Sequence, residues 1–391
     1  MRILFVSCLL PYPTVPHGGG TDLFHLLETL SQRGHEVHLV SLVQPAERPH
    51  IAALRPTMAS LQTVEPALAW RQKFHHALRE PPWRWGRRAR AEVRAAIRRV
   101  VAAGIDVAQF EWTETARFVD AVADRDVVTV LDEVDVSFRP LARAMGPAGY
   151  RHRRVQAARA RELAWCRRFD AILTRSVADQ AALEPYLPGQ SLHVFQPWTH
   201  VEEFREISPE TREPGTVLFC GAMDRAENAD AVLWFYRYCW PQVRAAVPTA
   251  RLLIVGHAPR PAVVRLAADP TVTVTGYIPD LRPAYARAEV CIAPSLVGGG
   301  VLNKVIDGMA AGRPVVTTSA GNEGVAAPPE AVYVADEPAA FAAAVIRLLQ
   351  DPAEWIRVAT HGRTFVQSTY RWAENVTRLE NLYNVIRSAR S

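Results

Sequence analysis

Hydrophobic and polar positions along this chain alternate between two periods. Arg2–Ser7 (RILFVS) is a short β-rich apolar run, and Leu23, Leu26, Leu27 and Leu30 then recur at the spacing of one helix face. Gly34 closes that helix, and Glu36–Leu42 (EVHLVSL) alternates as a strand. The same patterning predicts strands at Ile105–Phe110, Val127–Leu131, Asp170–Thr174 and Ser191–Phe195. A second series follows at Thr216–Cys220, Arg251–Val255, Thr271–Thr275, Glu289–Ala293, Pro314–Thr318 and Ala331–Val334, separated by helical or turn-rich stretches. Strand–helix alternation with short connections specifies parallel sheets flanked by helices. Two such series specify an α/β chain of two doubly wound, Rossmann-like domains facing a cleft. The polar, proline-containing stretch Gln196–Pro214 separates the series, and the chain is helical after Glu354, with Val376, Leu379, Leu382 and Tyr383 at helical spacing. The expected domains are residues 1–197, residues 198–370, and a closing helix over 371–391 that returns to the first domain.

Composition narrows the class. A chain of 391 residues, 49% hydrophobic and 22% charged, fits two globular domains of ordinary size. No apolar run approaches the ~18 residues of a membrane-spanning helix. The opening MRILFVSCLLPYP breaks at Pro11 and Pro13 and lacks a small-residue cleavage site, so it reads as a buried strand rather than a signal peptide. Five cysteines (Cys8, Cys166, Cys220, Cys239, Cys291) with no Cys-x-x-Cys pair argue against a disulfide framework and a zinc site, and point to a reducing cytoplasm. The net charge of +5 is almost all arginine, with Lys73 and Lys304 the only lysines. The segment Trp70–Val100 mixes Trp70, Phe74, Trp83 and Trp85 with arginines, and a second arginine run spans Arg151–Arg168. Such segments can lie on an anionic membrane face, and a solvated helix face in an arginine-biased chain is the competing reading. No recognised module accompanies the charge, so a nucleic-acid partner is not expected.

In open parallel sheets, ligands bind beyond the carboxyl ends of the strands, where backbone N–H groups and helix N-termini face outward. The first strand is followed by His17-Gly18-Gly19-Gly20-Thr21, a glycine turn leading into a helix, where Gly19 and Gly20 let the backbone approach a phosphate. The most informative segment is APSLVGGGVLNKVIDGMAAGRPVVTT. A strand ends at Ala293, Gly298-Gly299-Gly300 makes a loop, and a helix runs from about Val301 to Ala311. Lys304 and Asp307 lie three apart and share a helix face. A lysine beside free N–H groups suits a diphosphate as a point charge, and a carboxylate one turn on can accept from a ribose diol. An exposed i,i+3 ion pair is the bland alternative.

Five stretches then carry a resemblance over nearly the whole chain: MRILFVSCLLPYP…HGGG, TVLDEVDVSF, RRFDAILTRSVADQAAL, LFCGAMDRAENADAVLWF and GYIPDLRPAYARAEVCIAPSLVGGGVLNKVIDGMAAGRPVVTT. The chain resembles the retaining glycosyltransferases of the large bacterial family four, and within it the exopolysaccharide-type sugar transferases. The resemblance implies the GT-B fold and a role in polysaccharide biosynthesis. It also implies transfer of a hexose or related sugar from a nucleotide diphosphate-sugar to an acceptor hydroxyl, with retention at the anomeric carbon. No cofactor and no metal are implied. The acceptor is a glycan, a lipid-linked sugar or a small molecule, and the enzyme is cytoplasmic or peripheral at the inner membrane face.

On this resemblance the nucleobase and ribose lie near Gly276, Tyr277, Ile278 and Asp307, and the diphosphate near Gly19, Gly20, Gly221, Arg225 and Lys304, with Gly298, Gly299, Gly300 and Val301 lining the donor loop. Glu323 reaches toward the sugar, with a solvated loop carboxylate as the alternative. Asp132, Glu133, Asp135 and His17 are candidates for orienting the acceptor, and the three carboxylates equally for capping the following turn. The chain also departs from the family pattern. Gly299 and Asp307 stand where two glutamates eight apart are common, Ala222 and Asn228 occupy the usual Arg and Lys positions, and Val134 stands where many relatives carry a histidine. Two other readings remain open: a nucleotide-sugar 2-epimerase, and a nucleotide-binding relative without activity.

Overall fold

The apolar runs form strands buried on both faces, as parallel strands require when helices cover each side. The computed structural model describes residues 1–15, 18–65, 87–122, 126–146, 148–298 and 300–390, and the chain divides into two units. The first comprises Met1–Phe138, Arg151–Trp198 and Ala373–Ser391. Its strands are β1 (Arg2–Ser7), β2 (Glu36–Leu42), β3 (Ser60–Val64), β4 (Val107–Glu111), β5 (Val128–Glu133), β6 (Ala171–Thr174) and β7 (Ser191–Val194), in the all-parallel order β3-β2-β1-β4-β5-β6-β7. The second unit comprises Arg139–Tyr150 and Thr199–Trp372. It holds β8 (Thr216–Cys220), β9 (Arg251–Val255), β10 (Val272–Gly276), β11 (Val290–Ala293), β12 (Val315–Thr317) and β13 (Tyr333–Val334), in the parallel order β10-β9-β8-β11-β12-β13. Both sheets are doubly wound, and the strand order reverses between β1 and β4 in one and between β8 and β11 in the other. Each is Rossmann-like, as the alternation of strand and helix patterns predicts.

Three local features differ from expectation. Strand β3 was not predicted, because SLQTV is a half-exposed edge strand with no apolar run to mark it. The run Gly18-Gly19-Gly20 is no loop: it forms the first turn of the helix Gly18–Gln32. Gly20 is small for packing reasons, since a Cβ there would lie 3.0 Å from both Leu9 and Val15 side-chain carbons. The helix in the second unit's glycine segment is Asn303–Ala310, shorter at each end than expected.

The closing helix Trp372–Arg390 lies in the first unit for identifiable reasons. Buried Tyr383 donates to Gln109 on β4, Arg33 donates to Glu380 at 2.6 Å, and Arg390 reaches Asp170 at 2.5 Å. The helix Arg87–Ala102 buries Val93, Ala96, Ile97 and Val100. Its apolar stripe is spent on the protein core, which leaves the arginines facing outward rather than an apolar face for a bilayer. Trp70, Phe74, Trp83 and Trp85 lie outside the described residues. Among the described residues no helix is long and apolar enough to cross a membrane.

In the second unit, the chain entering from Thr199 is tied down by one side chain. Arg313 is fully buried and donates to the carbonyls of Tyr285, Pro209, Ser208 and Ala286 and to the Thr211 hydroxyl, at 2.9–3.1 Å. Burial pushes its pKa down to about 10, so it is still charged at neutral pH. Replacing it by methionine would strand those acceptors in an apolar interior, at about 1–3 kcal/mol for each group left unpaired. Arg313→Met is therefore expected to lower stability by ~3 kcal/mol or more, read as a drop in denaturation midpoint, whereas the exposed Arg237→Met should change it by less than ~0.5 kcal/mol.

Candidate functional site

The carboxyl edge of the second sheet is built around close backbone approach. The Gly221 N–H donates to Val255 at 2.9 Å, and the Gly256 N–H to Gly276 at 3.0 Å, which stitches together the ends of β8, β9 and β10. Gly256 has φ 156°, and a Cβ on it would fall 1.7 Å from the Gly221 carbonyl oxygen, so only glycine fits. Beyond β10, Gly276 takes φ 74°, Tyr277 is 60% exposed, its ring 6.2 Å from that of His257, and Ile278 packs on the core.

At the reversal of strand order, Lys304 projects from the first turn of the helix Asn303–Ala310 toward the end of β8. Its Nζ donates to Asn228 Oδ1 at 2.5 Å, lies 4.6 Å from the centre of the Phe219 ring, and would stand 3.1 Å from a Cβ at Gly221. Burial, with Arg225 adding repulsion, lowers its pKa to about 8. The ring and the amide oxygen do not replace the lost hydration. Glu227 favours the charged form but is already paired with Arg225, so the ammonium remains short of counter-charge at the start of a helix.

Asp307 is buried and one turn further on, but it does not share a partner with Lys304. Its Oδ1 lies 3.3 Å from His200 Nδ1 and 3.4 Å from the His200 backbone nitrogen. Burial works against charge on His200, yet the Asp307 carboxylate prevails and raises its pKa. His200 was not found from the sequence, where it lies in a polar stretch with no motif around it. Arg225 is exposed at the start of the helix Ala226–Tyr238 and pairs with Glu227 at 2.7 Å. Beyond β12, Glu323 is held by Arg139 at 2.6 Å and Arg143 at 2.7 Å. The carboxylate is thus paired rather than simply solvated, with its side chain 30% exposed. Gly298 is buried, Gly300 takes φ 63° and Val301 packs on the core, whereas Gly299 and His17 lie outside the described residues.

The same edge of the first sheet is closed. Arg175, at the end of β6, is 3% exposed and lies 2.7 Å from Asp132, 3.8 Å from Asp22 and 3.9 Å from Glu111. Glu111 accepts from Gln109 at 2.8 Å, while Asp22 Oδ1, Asp132 Oδ1 and Glu111 Oε2 are buried with no hydrogen-bond partner among the described residues. Three carboxylates around one guanidinium cannot all ionise cheaply. Burial raises the pKa of Asp22 to about 7 and raises those of Glu111 and Asp132 as well. Glu133 accepts from Thr113, lies against Glu162 and is likewise raised by burial. Asp132 and Glu133, expected to orient an acceptor or cap a turn, have no exposed surface and do neither: they are interior groups committed to Arg175 and Thr113. No group of three or more His, Cys, Asp or Glu side chains suited to a metal occurs among the described residues.

Residues 214–351, within the second unit, match the family model described as Glycosyl transferases group 1. No curated protein matches the chain. Among solved structures, sucrose-phosphate synthase from Thermosynechococcus elongatus aligns over 100% of both chains at 17% identity and a TM-score of 0.69. Anabaena HepE in complex with UDP aligns over 98% of this chain and 100% of its own, at 13% identity and TM-score 0.72. An S. aureus TarM variant in complex with Fondaparinux, alpha-GlcNAc-glycerol and UDP gives the same coverage, at 9% identity and TM-score 0.72. These likenesses show the fold, the two-domain GT-B architecture.

The buried cluster carries a pH signature. A carboxyl whose folded pKa lies above its unfolded value binds an extra proton in the native state between those values. Stability is therefore highest near the unfolded pKa, about 4, and falls as pH rises toward about 7. Asp22→Asn removes one of these protons, so it is expected to flatten the fall in melting temperature between pH 5 and pH 8 (about one carboxyl's worth of linkage), read by thermal denaturation at matched ionic strength.

Proposed function

We propose that this chain is a retaining glycosyltransferase that moves a sugar from a nucleotide diphosphate-sugar, bound along the carboxyl edge of the second sheet, to an acceptor hydroxyl. The observation that carries this reading is the under-compensated ammonium of Lys304 at the β8–β11 reversal, next to the start of the helix Asn303–Ala310. A diphosphate supplies the missing counter-charge, and Lys304 with the helix N–H groups stabilises it further as it leaves. In this reading the Asp307–His200 pair accepts from and donates to the ribose diol. The exposed Tyr277 ring and the turn at Gly276 offer a base platform.

In this reading catalysis is front-face. The acceptor oxygen attacks the anomeric carbon on the side from which the diphosphate departs, and a departing phosphate oxygen takes the acceptor's proton. Retention by double displacement would need a carboxylate nucleophile at the glycine loop. Glu323 beside Gly298 is engaged by two arginines, which supports the front-face course. Lys304 and backbone amides supply the charge stabilisation, and no metal is needed. The similar structures of HepE and the TarM variant hold UDP, which makes UDP the first nucleotide to try. A glycan or lipid-linked acceptor and a peripheral position at the membrane belong to the same proposal.

The test is incubation with a panel of nucleotide sugars. Release of the nucleoside diphosphate by slow hydrolysis or transfer is expected, with the anomeric configuration of the product followed by NMR. Recovery of an epimerised nucleotide sugar, or binding without turnover, would overturn the reading. Diphosphate affinity should also follow the charge on Lys304. It is expected to be constant well below pH 8 and to fall by about tenfold per pH unit above it, as one proton must be taken up on binding. Lys304→Met should weaken binding at low pH and abolish that dependence, measured by calorimetry with UDP.

A further inference from the structure

Reading the second sheet's edge in strand order gives Tyr277 after β10, His257 after β9, Gly221 and Asn228 near β8, Gly298 and Lys304 after β11, and Glu323 after β12. If the donor-site reading above holds, on which this inference rests, the base lies at the β10 end and the diphosphate at Lys304. The sugar then extends to Gly298 and Glu323.

The chemistry at that end is cationic. Arg139 and Arg143 are four apart on the helix Phe138–Ala144, so they share a face, and both clasp Glu323: Arg139 Nη2 to Oε1 at 2.6 Å and Arg143 Nη2 to Oε2 at 2.7 Å. Both guanidinium groups thus converge on one carboxylate. The two arginines differ in access, with side-chain exposure of 8% for Arg139 and 36% for Arg143. The Arg143 guanidinium lies against Gly298: a Cβ there would fall 2.1 Å from its Nη1. Gly298 thus leaves room for a cation where any side chain would displace it. Among the described residues only Nη2 of that guanidinium donates, so Nη1 and Nε keep N–H groups to offer in an orientation fixed by Glu323.

A neutral sugar hydroxyl gains little from such a group, whereas a carboxylate takes a charge-assisted hydrogen bond from it. Positions 298–300 are all glycine, so the loop contributes no acidic side chain to repel an anion. We propose that the donor sugar is acidic, a uronic acid or another carboxylated sugar, and that Arg143, held by Glu323 over Gly298, reads its carboxylate.

The experiment compares matched donors that differ at C6, UDP-glucuronate against UDP-glucose and GDP-mannuronate against GDP-mannose, with UDP and GDP alone as controls. On the tighter-binding nucleotide, the acidic member of the pair is expected to bind about tenfold or more tightly than the neutral one. Arg143→Gln should erase that preference while leaving the affinity for the bare nucleotide unchanged. Arg143→Lys should restore part of it. Equal or better binding of the neutral donor overturns this proposal and leaves the donor site standing, as does an acidic preference that survives Arg143→Gln. Failure of the wild-type chain to bind either nucleotide removes the donor site and this proposal together.

Discussion

The second sheet's carboxyl edge turns on one electrostatic imbalance, an ammonium brought into a half-buried site where Glu227, the acid that acts on it, is already paired with Arg225. Lys304 reaches there because Gly221 has no side chain to block its Nζ, and because Gly256 lets the β9 turn close on the Gly221 carbonyl. Asn228 and the Phe219 ring hold the head group in place but supply only partial charge. A cation–π contact of this kind is worth about 0.5–2 kcal/mol, well short of the hydration lost by an ammonium. The lowered pKa of Lys304 is the visible sign of that deficit. A site that stores such a deficit gains most from the ligand that cancels it.

The two sheets share a strand order on either side of the reversal, yet their edges are occupied in opposite ways. In the first unit the edge is filled by the cluster of Asp22, Glu111 and Asp132 on Arg175, with acid in excess and nearly no exposed surface. In the second, the excess is basic and the groups remain within reach of solvent. The contrast is a matter of counter-charge. The first cluster balances itself by keeping protons, which raised carboxyl pKa values permit near neutrality. A lysine flanked by Arg225 and short of acid can balance itself only by losing its proton or by binding an anion.

Periodicity carried most of the fold. The interior strands Arg2–Ser7, Glu36–Leu42, Thr216–Cys220 and Arg251–Val255 occur where their apolar runs predict, because burial on both faces leaves an unbroken hydrophobic signature. The edge strand Ser60–Val64 left no such signature, and Gly18–Gly20 read as a loop because glycine is ambiguous between a turn and a close-packed helix start. At the candidate site, Lys304 and Asp307 were legible from their spacing on one helix beside a glycine run. Their partners were not. His200 lies 107 positions from Asp307, Asn228 lies 76 from Lys304, and Arg143 lies 180 from Glu323. Contacts across such separations are fixed by the sheet order and by chain entering from the other half of the sequence, and no local pattern encodes them. The same limit explains Asp132 and Glu133. A Leu-Asp-Glu at a strand's end reads as a functional pair from the sequence, and only the position of Arg175 and Thr113 shows that both side chains point inward.

The charge balance also constrains how the donor loop can vary. With no acidic side chain at residues 298–300, the one carboxylate beside the loop among the described residues, Glu323, is bound by two arginines from a distant stretch of the chain. Removing Glu323 would take a carboxylate away from two guanidinium groups, one of them nearly buried, which costs more than losing a surface ion pair. Adding a side chain at Gly298 would displace the Arg143 guanidinium. The arginine helix and the glycine loop are therefore coupled: a side chain can return to the loop only if Arg143 leaves, and Arg143 can leave only if Glu323 finds another partner. Such mutual dependence gives this end of the site a fixed charge and a fixed shape, the two properties by which a pocket tells one sugar from another.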